Sequence, residues 1–347
     1  MSITTVTGRI KKEELGITLT HEHLLWDLRP LVETTETNPN PYFRDKVGLA
    51  NRYLLYGDPY TLLDNAYNDS EEVALKELLA FKAAGGGTVV DVTTDEIARN
   101  PSALKRLSEK SGVNIVMGCG YYLGATQTRE TAASSVTALA KRIIRDITEG
   151  VGDTGIKAGV IGEIGTGAAV SEEEWRAVAA AGIASAETGK SIHVHTALWE
   201  DNGLAVSDKL IKDGAEAEKI CINHIDVHLR EDYCKRLLDR GVYIEFDNFG
   251  KEFFIPKRET GVLRGRFAYD IERVALIKRL ADKGYIKRIL ITNDICLKSM
   301  LRQFGGNGYA HINLNVVQML LDGGLTQRDV DLLLKTNPAE FLDRESK

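Results

Sequence analysis

Eight short runs of β-branched and aliphatic residues recur along the chain, and between them lie longer stretches with apolar residues at helical spacing. No other feature limits the fold as tightly. The runs are Ile17–Thr20, Thr88–Asp91, Asn114–Gly118, Gly159–Glu163, Ser191–His195, Ile220–His224, Val242–Asp247 and Ile289–Asp294. Strands that alternate with helices form parallel sheets, because each helix must carry the chain back across the sheet before the next strand starts. Eight such units predict an α/β fold, a (β/α)8 TIM-type barrel with active-site loop insertions. A length of 347 residues suits one barrel of about 250 residues plus those loops, so 1–347 reads as a single domain.

The intervening segments support the count. Helices are expected over Ser70–Ala84, Pro101–Lys110, Ser135–Glu149, Ser171–Glu187, Arg230–Arg240 and Asp270–Lys283. Ser171 followed by Glu174 has the form of a capping box, and Gly189, Gly241 and Gly284 stand where helices would end. Two stretches break the repeat, Arg29–Asp69 after the first strand and Lys251–Phe267 after the seventh. Both follow a strand's carboxyl end, the active-site side of a barrel, and read as loops that cover a substrate.

Composition narrows the class. With 43% hydrophobic and 27% charged residues, the chain can bury a sizeable core without staples. A net charge of −6, from 44 basic and 50 acidic residues mixed along the chain, argues against nucleic acid as a partner. Cys119, Cys221, Cys234 and Cys296 are far apart and form no CxxC pair, so no disulfide framework is expected. The amino terminus lacks a signal-like apolar core, and no stretch approaches the roughly 20 apolar residues of a membrane helix. A cytoplasmic protein without a membrane partner is the expectation.

Six of the seven histidines, His21, His23, His193, His195, His224 and His228, fall at or just past expected strand ends. In Thr20-His21-Glu22-His23 the two imidazoles are one residue apart, so an extended backbone projects both to one side. Imidazole suits zinc and other borderline divalent metals. Glu163, His195, His224 and Asp294 end the fourth, fifth, sixth and eighth strands, and strand ends of a barrel face one common space. Of the two histidines on strand five, His195 lies nearer the mouth, which leaves His193 to the core or to a supporting position. An unpaired carboxylate at Asp294 would be costly to bury, and a role as ligand and base removes that cost.

The motifs LTHEHLLWD, GGGTVVDVTT, IKAGVIGEIGTG, HVHTAL, CINHID, RILITND and TNPAEFL run from about residue 16 to 342. Together they resemble the phosphotriesterase family of the amidohydrolase superfamily. The resemblance implies a (β/α)8 fold, two divalent metal ions (zinc, with manganese or cobalt as alternatives), and hydrolysis by a hydroxide that bridges them. It implies that His21, His23 and Asp294 hold the buried ion, that His195 and His224 hold the exposed one, and that the residue ending strand four bridges both. Many members use a carboxylated lysine there. No lysine lies between Lys157 and Lys190, and Glu163 matches the branch that uses glutamate, which includes the phosphotriesterase-homology and phosphotriesterase-related proteins. Relatives suggest a homodimer.

The expected reaction is hydrolysis of a carboxylic ester, lactone or amide of a small-molecule substrate, with Asp294 as the catalytic proton carrier. Organophosphate triester hydrolysis is the alternative, since the chemistry is similar; the relay histidine of the organophosphate-degrading relatives is replaced here by Asn248. A mononuclear deaminase and a non-catalytic metal-binding barrel are the remaining readings. Asp226, two residues beyond His224, is a candidate to orient a ligand imidazole. Tyr122 resembles a tyrosine that approaches the metal pair in lactonase relatives. Lys298 and Arg302 form a candidate clamp for an anionic group on the substrate, with Lys251 and Arg258 as further candidates. Trp26 and Trp199 are candidates for a pocket wall. Gly305-Gly306-Asn307-Gly308 has the look of a phosphate loop but lacks its lysine and hydroxyl residues.

Overall fold

A computed structural model describes residues 2–32, 40–256 and 265–343. Eight strands form one parallel sheet: β1 (Ile17–Glu22), β2 (Gly86–Asp91), β3 (Asn114–Cys119), β4 (Val160–Gly165), β5 (Ile192–His195), β6 (Ile220–Ile222), β7 (Tyr243–Phe246) and β8 (Ile289–Ile291). They are hydrogen-bonded in chain order from β1 to β8. Helices α1 (Glu71–Ala83), α2 (Pro101–Ser111), α3 (Val136–Thr148), α4 (Glu172–Thr188), α5 (Gly203–Lys212), α6 (Glu231–Leu238) and α7 (Asp270–Asp282) follow β1 to β7 in turn, as a (β/α)8 TIM barrel requires.

The helix starts are where the sequence puts them and Gly189 caps α4, but α6 and α7 end at Leu238 and Asp282, capped by Asp239 and Lys283 rather than by Gly241 and Gly284. Ser70, Asn100, Ser135 and Ser171 each accept a hydrogen bond from the amide three residues on, and Ser171 with Glu174 completes the capping box. Not foreseen were α5, which opens on a glycine without a side-chain cap, the helical stretches 312–322 and 327–343, and an antiparallel hairpin of Ser2–Thr5 with Gly8–Lys11.

No backbone ladder joins β8 to β1 among the described residues; the Glu22 carboxylate closes that seam. Its Oε1 accepts from Thr292 Oγ1 (2.6 Å), the Asn293 amide (2.9 Å) and Asn293 Nδ2 (3.0 Å), while Oε2 accepts from the Ile295 amide (2.8 Å).

Two apolar clusters hold the barrel. The larger includes Val89, Ile115, Ile161, Val194, Ile222, Ile244 and Ile291 together with the apolar faces of the helices. The smaller takes the alternate strand positions, Val90, Val116, Val160, Cys221, Tyr243 and Leu290, with Ile3 of the hairpin, Leu15 and Phe341. That split is the period of two of a strand, one parity packed on helices and the other filling the barrel. Along β7 the second parity reads Tyr243, Glu245, Asp247: apolar packing first, then two buried carboxylates.

Candidate active site

Backbone irregularities aim the site's side chains. Pairing of β1 with β2 slips between Leu19 and Glu22, and pairing of β4 with β5 slips between Ile161 and Ile164. Such slips re-aim a side chain without ending the strand. Gly162 has φ of +115°, and a Cβ there would lie 2.4 Å from the His193 carbonyl oxygen, so only glycine fits beside Glu163. His224 and Asp294 have φ of +61° and +47°, left-handed values that cost a non-glycine residue energy and persist where surrounding contacts enforce them.

The structure brings all six expected ligand residues together. Glu163 stands at the centre. Its Oε1 is 3.2 Å from His23 Nε2, and its Oε2 is 3.2 Å from His195 Nδ1, 3.5 Å from His21 Nε2 and 3.6 Å from His224 Nε2. Asp294 Oδ1 lies 3.3 Å from His23 Nε2 and 3.6 Å from His21 Nε2. His224 Nε2 is 2.8 Å from His195 Nδ1. Four overlapping groups have the spacing of a metal site: His21, His23 and Glu163; His21, His224 and Asp294; Glu163, His195 and His224; and, deeper in the barrel, His21, His193 and Glu245.

Supporting contacts fix the rings. Thr93 Oγ1 is 2.9 Å from His23 Nδ1, and Asp247 Oδ1 is 3.0 Å from His224 Nδ1, which leaves each Nε2 turned to the cluster. Asp247 also accepts from the His224 amide. Beneath His21 lies Glu245, 3.4 Å from both His21 Nδ1 and His193 Nδ1 and hydrogen-bonded to Thr20 and Asn223. Asp91 accepts from the Leu24 and Thr93 amides and so shapes the turn after His23.

Burial alone would disfavour every charge here, yet at His21, His23, His224 and Glu163 the net shift favours the charged form. Burial lowers His23, but hydrogen bonds to Asp294 and Glu163 outweigh it and raise the imidazole to about 10. His21 and His224 are raised for the same kind of reason, the first chiefly by Glu163 and the second by Asp247. Glu163 is held below the carboxylate range, since His21 and the other imidazoles overcome its burial. His195 alone goes down, through burial and the charge of His224. A centre that raises three imidazoles is one of negative potential, and it favours protons or metal cations alike. The site fits a metal: His21 Nε2 is buried without a hydrogen-bond partner, facing Glu163 and Asp294, while its Nδ1 faces Glu245. Buried polar atoms are seldom left so unless something else binds them. Imidazoles and carboxylates are donors for zinc-like divalent cations.

The cluster floors a cleft of about 430 Å³. Pro30, Leu31, Val32 and Tyr60 of the first expected loop line it, with Leu28 just before that loop, as do Lys251, Phe253, Ile255 and Phe267 of the second. Tyr122 lines it too, its hydroxyl 3.2 Å from His195 Nδ1.

Other candidates go elsewhere. Lys298 Nζ pairs with Asp64 Oδ1 at 2.9 Å, and Arg302 is exposed with its amide bonded to Glu77, so neither lines the cleft. Both follow β8 on 3-10 turns rather than on the helical face that their spacing suggested. Arg258 lies outside the described residues. Asp226 does not touch a ligand imidazole; it accepts from Asn248 and from the buried Arg273 Nε (2.8 Å). Asp247 takes the role expected of it. His193 is buried against Glu245 and Phe341, and His228 is exposed. Trp26 is buried outside the cleft lining, and Trp199 packs on Phe267. In the glycine loop the amides of Gly305, Gly306 and Gly308 bond to carbonyls of residues 300–302 and are not presented to a phosphate.

Sequence reading missed Glu245, Asp247, Asp91 and Thr93. An available signal was the acid at every second position of an apolar strand, Glu245 and Asp247 on β7.

Comparison with known proteins places this geometry. Residues 1–342 match the phosphotriesterase family. N-acetyltaurine hydrolase of Rattus norvegicus is 34% identical over 344 residues, 98% of this chain and 97% of that protein, and the Homo sapiens protein of the same name is 33% identical over the same shares. A resiniferatoxin-binding protein from Rhodobacter sphaeroides superimposes with a TM-score of 0.95 at 32% identity, covering 99% of this chain and 95% of that one. The phosphotriesterase homology protein of Escherichia coli, with phosphate in its active site, gives a TM-score of 0.78 at 26% identity, covering 95% and 99%. With a barrel, a histidine and carboxylate centre, and matches that run nearly end to end, the chain belongs to the phosphotriesterase family and is a hydrolase.

Proposed function

We propose that the chain is a binuclear metal-dependent hydrolase that cleaves a small carboxylic amide, with esters and lactones as related substrates. The observation that carries this is the convergence of His21, His23, Glu163, His195, His224 and Asp294, with His21 Nε2 buried between Glu163 and Asp294 and without a hydrogen-bond partner. His21, His23 and Asp294 would hold one ion and His195 and His224 the other, zinc being the first choice. Glu163 reaches toward both groups, Oε1 to His23 and Oε2 to His195, as a bridge must. Divalent cations in such a centre bring the pKa of water toward neutrality and polarise a carbonyl oxygen.

The chain's own groups do the rest. Asp294 stays ionised, because the Lys251 ammonium and His23 outweigh its burial, and its carboxylate takes the proton from the attacking water and delivers it to the leaving nitrogen. Amines are poor leaving groups until protonated, so this delivery decides whether an amide can be cleaved. The Tyr122 hydroxyl, kept protonated by burial, donates toward the substrate's oxygen beside His195. Apolar walls from both loops exclude water from the acyl side. The amide preference leans on the relatives named for hydrolysis of an N-acyl amine. Phosphotriester cleavage is the second reading, and the phosphate in the Escherichia coli relative favours it.

Elemental analysis of protein purified without chelator, beside a screen of N-acetyltaurine, N-acetyl amino acids, lactones and phosphotriesters, tests this. About two ions per chain with amide turnover support it. No bound metal, or turnover of phosphotriesters alone, sinks it.

A further inference from the structure

Lys251 is a buried cation on the edge of the cleft. It leaves β7 through a tight turn closed by its amide on the Asn248 carbonyl at 3.0 Å, and its own carbonyl accepts from Arg273 Nη2 at 3.4 Å. Arg273, fully buried, is itself fixed by Asp226 and Asp270, so the turn is clamped from behind. The Lys251 side chain is turned inward, with the residue 4% exposed, and the ammonium pairs with Asp294 Oδ2. Among the described residues that line the cleft, it is the only lysine or arginine.

An ammonium has three donors, and one carboxylate oxygen does not exhaust them. Around it stand Tyr60, Phe253, Ile255 and Cys296, which give an anion no other cationic partner. An anionic group entering such a cleft must pair with a cation or stay in water.

We propose that Lys251 selects substrates whose leaving amine carries a carboxylate or sulfonate on a short spacer. This rests on the amide reading above. Asp294 serves the leaving nitrogen, and Lys251 touches the same carboxylate, so an oxyanion one or two carbons from that nitrogen reaches the ammonium while the acyl group lies on the apolar wall. A longer spacer carries the anion past it.

The test compares N-acetyltaurine with its neutral counterpart N-acetylethanolamine on wild type, K251M and K251R. K251M lowers kcat/KM for both, since Asp294 loses its partner, and lowers it about 30-fold or more further for the anion, mainly through KM. K251R keeps the preference for the anion. Equal losses on both substrates overturn the proposal. Calorimetry on the metal-loaded proteins decides it without turnover: taurine binds wild type and not K251M, whereas ethanolamine binds neither. If no amide is cleaved but taurine binding still needs Lys251, the amide reading fails and the anion site stands. Taurine binding that is equal in both proteins, or absent from both, removes the site.

Discussion

Two clusters inside the barrel are built from the same strands and obey opposite rules. In the apolar one, Val90, Val116, Val160, Cys221, Tyr243 and Leu290 gain from every contact, because each buried methylene stabilises the fold. In the ionisable one, His21, Glu163, Glu245, Asp247 and Asp294 are equally buried, yet each loses solvation that only its charged and polar neighbours replace. The two meet where the Phe341 ring lies 5.1 Å from His193 and 5.2 Å from Tyr243. The lesson is a division of labour along each strand. One tier makes the barrel stable, and the next spends part of that stability on a charged centre.

The comparison breaks most visibly at Glu163. Glu163→Gln should cost activity at least about a hundredfold and lower the metal content measured on the same sample, with little loss of thermal stability. A variant that keeps metal and rate would remove Glu163 from the centre. Next comes Asp247→Asn, which leaves His224 without its carboxylate and should weaken metal binding about 10- to 100-fold in a chelator competition titration. On the apolar side, Leu290→Ala should destabilise the fold by about 2–5 kcal/mol in a urea titration while kcat/KM at 25 °C stays within about threefold. If instead its rate fell in step with that of Asp247→Asn, the two tiers would not be separable.

A smaller effect sharpens the contrast through pH. His23 is raised from 6.5 to about 10, so in metal-free protein its proton contributes stability that is full below about 6.5 and is lost as pH rises toward about 10. The melting temperature of chelator-treated protein should therefore fall across that window. Added zinc should reverse the slope, because a ligand imidazole must be deprotonated. The smallest effect is expected at Lys298→Met: with its ammonium on Asp64 and outside the cleft, kcat/KM should change less than about threefold.

Much of this was legible in the chain. The eight strands and the six residues that converge on the centre stood out because apolar runs ended in histidines and acids, and the serine caps marked where helices began. Three things were not legible, for physical reasons. The slips at Leu19–Glu22 and Ile161–Ile164 are relations between two strands, and no single segment records them. The pairing of Lys298 with Asp64 joins residues 234 positions apart, so helical spacing suggested a clamp that long-range contacts override. The choice of Asp247 over Asp226 as the partner of His224 depends on how β7 lies beside β6, whereas spacing along the chain favoured the nearer acid.

The seam at Glu22 bears on all of this. Seven of the eight joints between strands are ladders of backbone bonds, which cannot lengthen without breaking several at once. The eighth, among the described residues, is made by side chains: one carboxylate gripping Thr292, Asn293 and Ile295, and the Thr292 hydroxyl near the His21 carbonyl. The barrel is a bracelet with a clasp, and the clasp lies between the histidines of β1 and the aspartate beyond β8. Two side chains, Glu22 and Thr292, therefore gauge the spacing between His21 and His23 on one edge and Asp294 on the other.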